Sequence, residues 1–258
     1  MTGPVYLVTG ASKGIGKAMT KLALTKFHGK VVAVARSKEL LESLQVELTQ
    51  ENNNLGDNLE VVVGDVCDEH TSRRAVNVAI DKWGRLDVVI ANAGILEPIA
   101  SVSDSLVQGW KHLFDVNFFS VITLAQEALP HLRHSKGTLI MISSGAASKG
   151  YKGWGAYGAS KAALNHLNAT LAVEEPDVTT LAIRPGVVDT GMQELIREKG
   201  VDAMKEDHSK FMELHRQGKL LSAEEPAHVV VALGANPPKD LSGQYLSWDD
   251  EVLKSFRK

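Results

Sequence analysis

At 258 residues, 44% hydrophobic and 23% charged, the chain can bury a large apolar core, and its composition excludes a disordered, fibrous or membrane-embedded polypeptide. The formal net charge of −3 gives no basic excess, which sets aside nucleic acid and anionic membrane surfaces as partners. Cys67 is the only cysteine, so no intramolecular disulfide can form; with no leader pattern at the start and no apolar run near the ~20 residues that cross a bilayer, a cytoplasmic protein is expected.

Short apolar runs alternate with helical stretches along the whole sequence. The first strand is expected at Val5–Thr9, followed by a helix that carries Ile15, Ala18, Met19, Leu22, Ala23 and Phe27 on one face. After the turn signal His28-Gly29 comes a β-branched strand at Lys30–Ala35, then a helix at Lys38–Gln50. Further strands are expected at Leu59–Gly64, Leu86–Ala91, Thr138–Ile142, Val178–Ile183 and Gln244–Ser247, and further helices at Asn117–Leu132 and Tyr157–Glu174. No linker or low-complexity segment interrupts the pattern, so one domain over 1–258 is expected, an α/β fold with a Rossmann-type, doubly wound parallel sheet and helices on both faces. Ligands of such sheets bind beyond the carboxyl ends of the strands. Gly191 to Leu221 breaks the alternation and reads as one or two inserted helices, either a cover for the substrate crevice or a surface decoration.

Directly after the first strand stands Gly10-Ala11-Ser12-Lys13-Gly14-Ile15-Gly16. Glycines at 10, 14 and 16 let the backbone turn tightly and approach a pyrophosphate, and the following helix start turns free N–H groups toward it. A plain glycine-rich connector would show the same triplet; its place between a strand and an amphipathic helix is what favours a dinucleotide site. At the end of the second strand, Ala35-Arg36-Ser37 offers no carboxylate for a ribose 2′-hydroxyl, whereas Arg36, with Lys13, can hold a 2′-phosphate. NADPH is therefore expected over NADH, the alternative being two solvated surface cations. Asp65, in Gly64-Asp65-Val66, either accepts from the adenine amino group or caps the next helix. Asn92-Ala93-Gly94 lets the chain pass close to the adenosine ribose, or is an ordinary turn.

Tyr157 and Lys161 stand at i and i+4, hence on one side of a helix. A free phenol has a pKa of ~10, and a neighbouring ammonium favours its ionised form, which suits a group that protonates a carbonyl oxygen as hydride reaches the carbon. Ser143-Ser144 ends the strand just upstream, where a hydroxyl can hold the substrate oxygen, although a serine pair is also common turn material. Asn117 opens a helix and can be a simple N-cap.

Taken in order, the glycine loop, Asn92-Ala93-Gly94, Asn117, Ser144, Tyr157 with Lys161, and Pro185-Gly186 resemble the short-chain dehydrogenase/reductase family over essentially the whole chain. The resemblance implies Tyr157 as general acid, Ser144 as the group that positions the carbonyl, Lys161 on the nicotinamide ribose, and Asn117 as anchor of a water in a proton relay. It also implies that Pro185, Gly186, Val188 and Thr190 bind the nicotinamide carboxamide. Ala91 departs from the family, many members of which carry a first asparagine there. The stretches Ala35-Arg36-Ser37, Gly94 to Pro98, Trp154 to His166 and Ser242 to Ser247 are similar to those of sepiapterin reductases and, most of all, of fungal benzil reductases that form (S)-benzoin. An NADPH-dependent reductase of a small carbonyl substrate, an α-diketone such as benzil, and a dimer or tetramer are the expectations that follow. Three other readings compete: a different ketoreductase of the same fold, a catalytically silent NADPH-binding protein, and a metal-dependent hydrolase, the last opposed by the lack of any Glu or third His at ligand spacing around His131 and His134.

Overall fold

The computed structural model describes residues 3–257. Seven parallel strands form one sheet in the order β3-β2-β1-β4-β5-β6-β7. They are β1 (Val5–Thr9), β2 (Lys30–Ala35), β3 (Leu59–Val63), β4 (Val88–Ala91), β5 (Thr138–Ile142), β6 (Thr179–Arg184) and β7 (Tyr245–Ser247). Strands covered on both faces must be apolar at successive positions, and every residue of β1 and β5 is buried. The chain moves outward from β1 through β2 to β3, then returns to lay β4 on the other side of β1. This reversal opens a crevice beyond the carboxyl ends of β1 and β4.

Alternate residues of each strand serve opposite layers. Tyr6, Val8, Val31, Ile90 and Ile140 meet one layer of helices: α1 (Gly14–Thr25), α2 (Lys38–Glu51) and α11 (Glu224–Ala235). Leu7, Val34, Val89 and Leu139 meet the other, formed by α4 (Glu69–Trp83), α6 (Ser120–Ser135) and α7 (Gly155–Glu174). A short α3 (Asn53–Asp57) precedes β3.

Two departures from the sequence reading bear on the site. Asn117 does not open its helix: the chain is already helical from Val107 as α5 (Val107–Phe114), passes through a π-helical turn at Asp115–Phe119, and continues as α6. Trp110, Leu113 and Phe114 anchor α5 in an apolar cluster above the carboxyl end of the sheet, which fixes a helical start that spacing alone did not reveal. The wide turn then places Asn117 off the regular helical ladder. The insertion after β6 holds three helices, α8 (Gly191–Lys199), α9 (Val201–Met204) and α10 (Glu206–Arg216), where one or two were expected. Ile196, Met204 and Phe211 join that cluster with Leu96, Trp154 and Tyr157.

Candidate active site

The glycine loop fills the step from β1 into α1. Gly10 and Gly14 have φ of +65° and +55°, and a Cβ on Gly16 would collide with the Gly10 carbonyl oxygen. The loop is stitched to the end of β4. Asn92 and Ala93 donate their backbone N–H groups to Thr9 Oγ1 at 3.0 and 3.1 Å, and Asn92 Nδ2 donates to the Thr9 carbonyl oxygen at 2.9 Å. Asn92 is therefore a clamp on the glycine loop rather than a mere small residue beside it. Thr9, read from the sequence only as the end of the first strand, supplies the other half of the clamp.

Two adjoining cavities of about 310 and 240 Å³ meet at this loop and share Gly10, Lys13, Ala93, Gly94 and Ile95. The smaller reaches Ser12, Arg36, Ser37, Asp65 and Val66. The larger takes in Gly14, Ile15, Gly16, Asn92, Tyr157, Lys161, Pro185 and Thr190. Gly186 and Val188 lie behind its wall: Gly186 packs against Leu221 and Trp248, and Val188 pairs with Leu221. Asp65 is not the cap of α4; Asp68 is, accepting from His70 N–H, while Asp65 accepts from Cys67 N–H and lies 3.8 Å from Arg36.

Tyr157 and Lys161 are both buried on one side of α7, with Lys161 Nζ 5.8 Å from the centre of the Tyr157 ring. Nζ donates to the Ile142 carbonyl oxygen at 2.8 Å, and burial lowers the ammonium pKa to about 8. Burial also pushes the Tyr157 phenol above its ordinary value, opposed by a hydrogen bond with Ser144. The downward pull on the phenol expected from Lys161 is not what sets its direction: loss of water disfavours the phenolate, and Ser144 is the group that opposes it.

The two serines at the end of β5 part company. Ser143 reaches the cavity wall, but its hydroxyl donates to Asn165 Oδ1 at 2.6 Å. Ser144 is the one whose side chain acts on the Tyr157 phenol, drawing its pKa down against burial. Asn117 lies fully buried behind the cavity: its Oδ1 accepts from Ile95 N–H at 2.8 Å, and its Nδ2 donates to the Ile95 carbonyl oxygen at 2.9 Å and to Ser160 Oγ at 3.2 Å. Ser160 in turn donates to the Tyr157 carbonyl oxygen at 2.8 Å. Asn165 and Ser160 carried no sequence signal, since both sit at ordinary helical positions of α7.

At the far end of the larger cavity, Leu96, Met192 and Leu195 supply apolar walls. Behind Tyr157 the Trp154 ring stands edge-on at 5.7 Å, itself packed on Tyr151 and Phe211 at 4.9 and 5.2 Å. Among the described residues no group of three His, Cys, Asp or Glu side chains could hold a metal ion, and no helix is long and apolar enough to cross a membrane.

Comparison with known proteins agrees with this geometry. Residues 4–200 match the short chain dehydrogenase family. An uncharacterized oxidoreductase of Schizosaccharomyces pombe is 45% identical, over 96% of this chain and 97% of its own. The benzil reductase ((S)-benzoin forming) of Saccharomyces cerevisiae is 41% identical, over 97% of this chain and 98% of its own. The crystal structure of a short chain dehydrogenase/reductase from Saccharomyces cerevisiae, 41% identical, superposes with a TM-score of 0.93 over 99% of this chain and all of that one. With the crevice, the glycine loop and the paired Tyr157 and Lys161 in place, these full-length matches establish that the chain belongs to the short-chain dehydrogenase/reductase family of oxidoreductases.

Proposed function

We propose that the protein is an NADPH-dependent carbonyl reductase that reduces a ketone, in the first instance an α-diketone such as benzil to (S)-benzoin. The observation that carries this reading is the buried Tyr157 phenol, beside Ser144 and flanked by Lys161, in a cavity walled by the glycine loop on one side and apolar side chains on the other.

Family members use nicotinamide cofactors, and the trough fits a dinucleotide. Its wall is free of Cβ atoms where backbone must approach phosphate, and α1 opens with no acidic side chain in its first turn. Lys13 and Arg36 would hold a 2′-phosphate, with Ser12 and Ser37 as further donors; Asp65 and Val66 would border the adenine. Lys161, Asn92 and Gly94 would border the nicotinamide ribose, and Pro185 to Thr190, with Gly186 and Val188 presenting backbone, the carboxamide. The bound cofactor would supply hydride.

The chain's own residues would do the rest. The Ser144 hydroxyl holds the substrate oxygen, and Tyr157, kept protonated by burial, has a proton to give to that oxygen as negative charge develops on it. Lys161 carries a charge below about pH 8 and orients the site from behind. Asn117 anchors the helix turn and the β4 loop on which a proton relay would run. Leu96, Met192 and Leu195 favour an apolar substrate, and the name of the Saccharomyces relative points to an aryl-bearing one. The insertion α8 to α10 would cover this substrate within one domain of 1–258. The single cysteine suits a reducing cytoplasm, and association as a dimer or tetramer would cover exposed apolar groups on helix faces such as Phe119 and Val173.

The reading is tested by NADPH oxidation against benzil, other α-diketones, sepiapterin and steroid ketones, with chiral analysis of the alcohol. (S)-benzoin from benzil is the expected product. Turnover of steroid ketones or sepiapterin alone would move the substrate class, and no oxidation of NADPH with any of them would leave a silent binding protein.

A further inference from the structure

Ser144 stands where the sheet lets go of the chain. The last β5–β6 register pair is Ile142 with Ile183, and one more ladder bond, Ser143 N–H to the Ile183 carbonyl oxygen at 2.8 Å, closes the pairing. Ser144 is extended, with φ −156° and ψ 155°, and its own bonds are local: Oγ accepts from Ala146 N–H at 3.2 Å and the carbonyl oxygen accepts from Ala147 N–H at 3.0 Å. Those bonds hold the turn together without fixing where the turn sits over the sheet.

Ala146 packs into the apolar cluster beside Tyr157, and one long-range hydrogen bond ties the turn to β7. Tyr245 lies on β7, paired with Ala182 of β6, and its hydroxyl donates to the Ser144 carbonyl oxygen at 2.9 Å across 101 residues of sequence. Burial pushes the Tyr245 phenol above its ordinary value, so it stays a donor at neutral and mildly alkaline pH. We propose that Tyr245 is a positioning residue: by gripping the Ser144 carbonyl from the neighbouring edge of the sheet, it holds the Ser144 hydroxyl against Tyr157. This rests on the reading of Ser144 as the group that holds the substrate oxygen. A displacement of ~1 Å at such a group is enough to cost a large part of turnover.

The test compares Tyr245→Phe, Ser144→Ala and the double variant in the full chain, by turnover of benzil and related α-diketones, NADPH affinity, melting temperature and crystal structure. Removing the hydroxyl of Tyr245 is expected to lower kcat about 10-fold with NADPH affinity and melting temperature kept, since about 1.4 kcal/mol of misplacement corresponds to that factor. In the Ser144→Ala background it is expected to lower kcat no further, because no hydroxyl remains to be positioned. The crystal structure of Tyr245→Phe should show the turn at 144–147 shifted or split between two positions. An unmoved Ser144, losses that multiply in the double variant, or a variant that loses cooperative melting each overturn the proposal. If Ser144→Ala alone keeps full turnover, the role of Ser144 itself fails, a result distinct from failure of the grip.

Discussion

Asn117 and Ile95 are joined by two hydrogen bonds, one from the Ile95 N–H to Asn117 Oδ1 at 2.8 Å and one from Asn117 Nδ2 to the Ile95 carbonyl oxygen at 2.9 Å. A side-chain amide thus completes the backbone of the loop after β4 as a neighbouring strand would, and the π-helical turn is what brings it there. Asn117→Ala would leave both backbone groups without partners. A loss of about 2 kcal/mol in unfolding free energy is expected by denaturant titration, and an unchanged midpoint would contradict the clamp.

Tyr157→Phe removes the transferable proton and little else. Turnover should fall by about 100-fold or more while NADPH binding, followed by its fluorescence, stays near normal. Retained turnover would show that another group protonates the product.

Replacing Arg36 by Asp puts a carboxylate where a 2′-phosphate is expected, next to Asp65, which already lies 3.8 Å from the guanidinium. We expect kcat/KM for NADPH to drop by roughly 10- to 100-fold, the size of one or two lost charge-assisted hydrogen bonds, with the preference moving toward NADH. If kcat/KM for NADPH is intact, Arg36 does not touch the cofactor.

The buried Lys161 gives the protein without cofactor a pH signature. Its ammonium is held at about 8 in the folded chain against an ordinary value of 10.5, so between these values the unfolded chain binds the extra proton and stability rises with pH. Below about 8 the folded state carries the full cost of the buried charge. Relative to Lys161→Met, the parent protein should gain up to about 3 kcal/mol between pH 7 and pH 11. Parallel pH profiles for the two proteins would mean that Lys161 titrates normally.

Gly16→Ala tests the loop by steric means. The added methyl would collide with the Gly10 carbonyl oxygen and crowd Asn92 Nδ2, so either the loop or the Asn92 clamp must move. A stability loss of about 1–3 kcal/mol together with weakened NADPH binding is expected, and unaltered binding would show that this backbone does not approach the cofactor.

Much of this is legible in the sequence. The inner strands announced themselves because a parallel sheet buried on both faces demands continuous apolar runs, as in the fully buried β1 and β5. Gly10 and Gly14 announced the loop because their φ values favour glycine. Tyr157 and Lys161 shared a helix side by simple periodicity. Asn117 was legible as a polar residue of interest and misplaced as a helix start, because nothing in a periodic pattern marks a π-helical turn. The start of α5 escaped for a related reason: its apolar residues face a cluster assembled from α7 and the insertion, far away in sequence.

The amino-acid order by itself determined the sheet, the glycine turn and the chemical identity of the groups that meet at its edge, since these depend on local conformational limits and on burial. Only the tertiary structure decided which of two adjacent serines is tied to Asn165 and which meets Tyr157, and that burial pushes the phenol above its ordinary value. Those outcomes depend on distances between segments, and on the water that folding removes from between them.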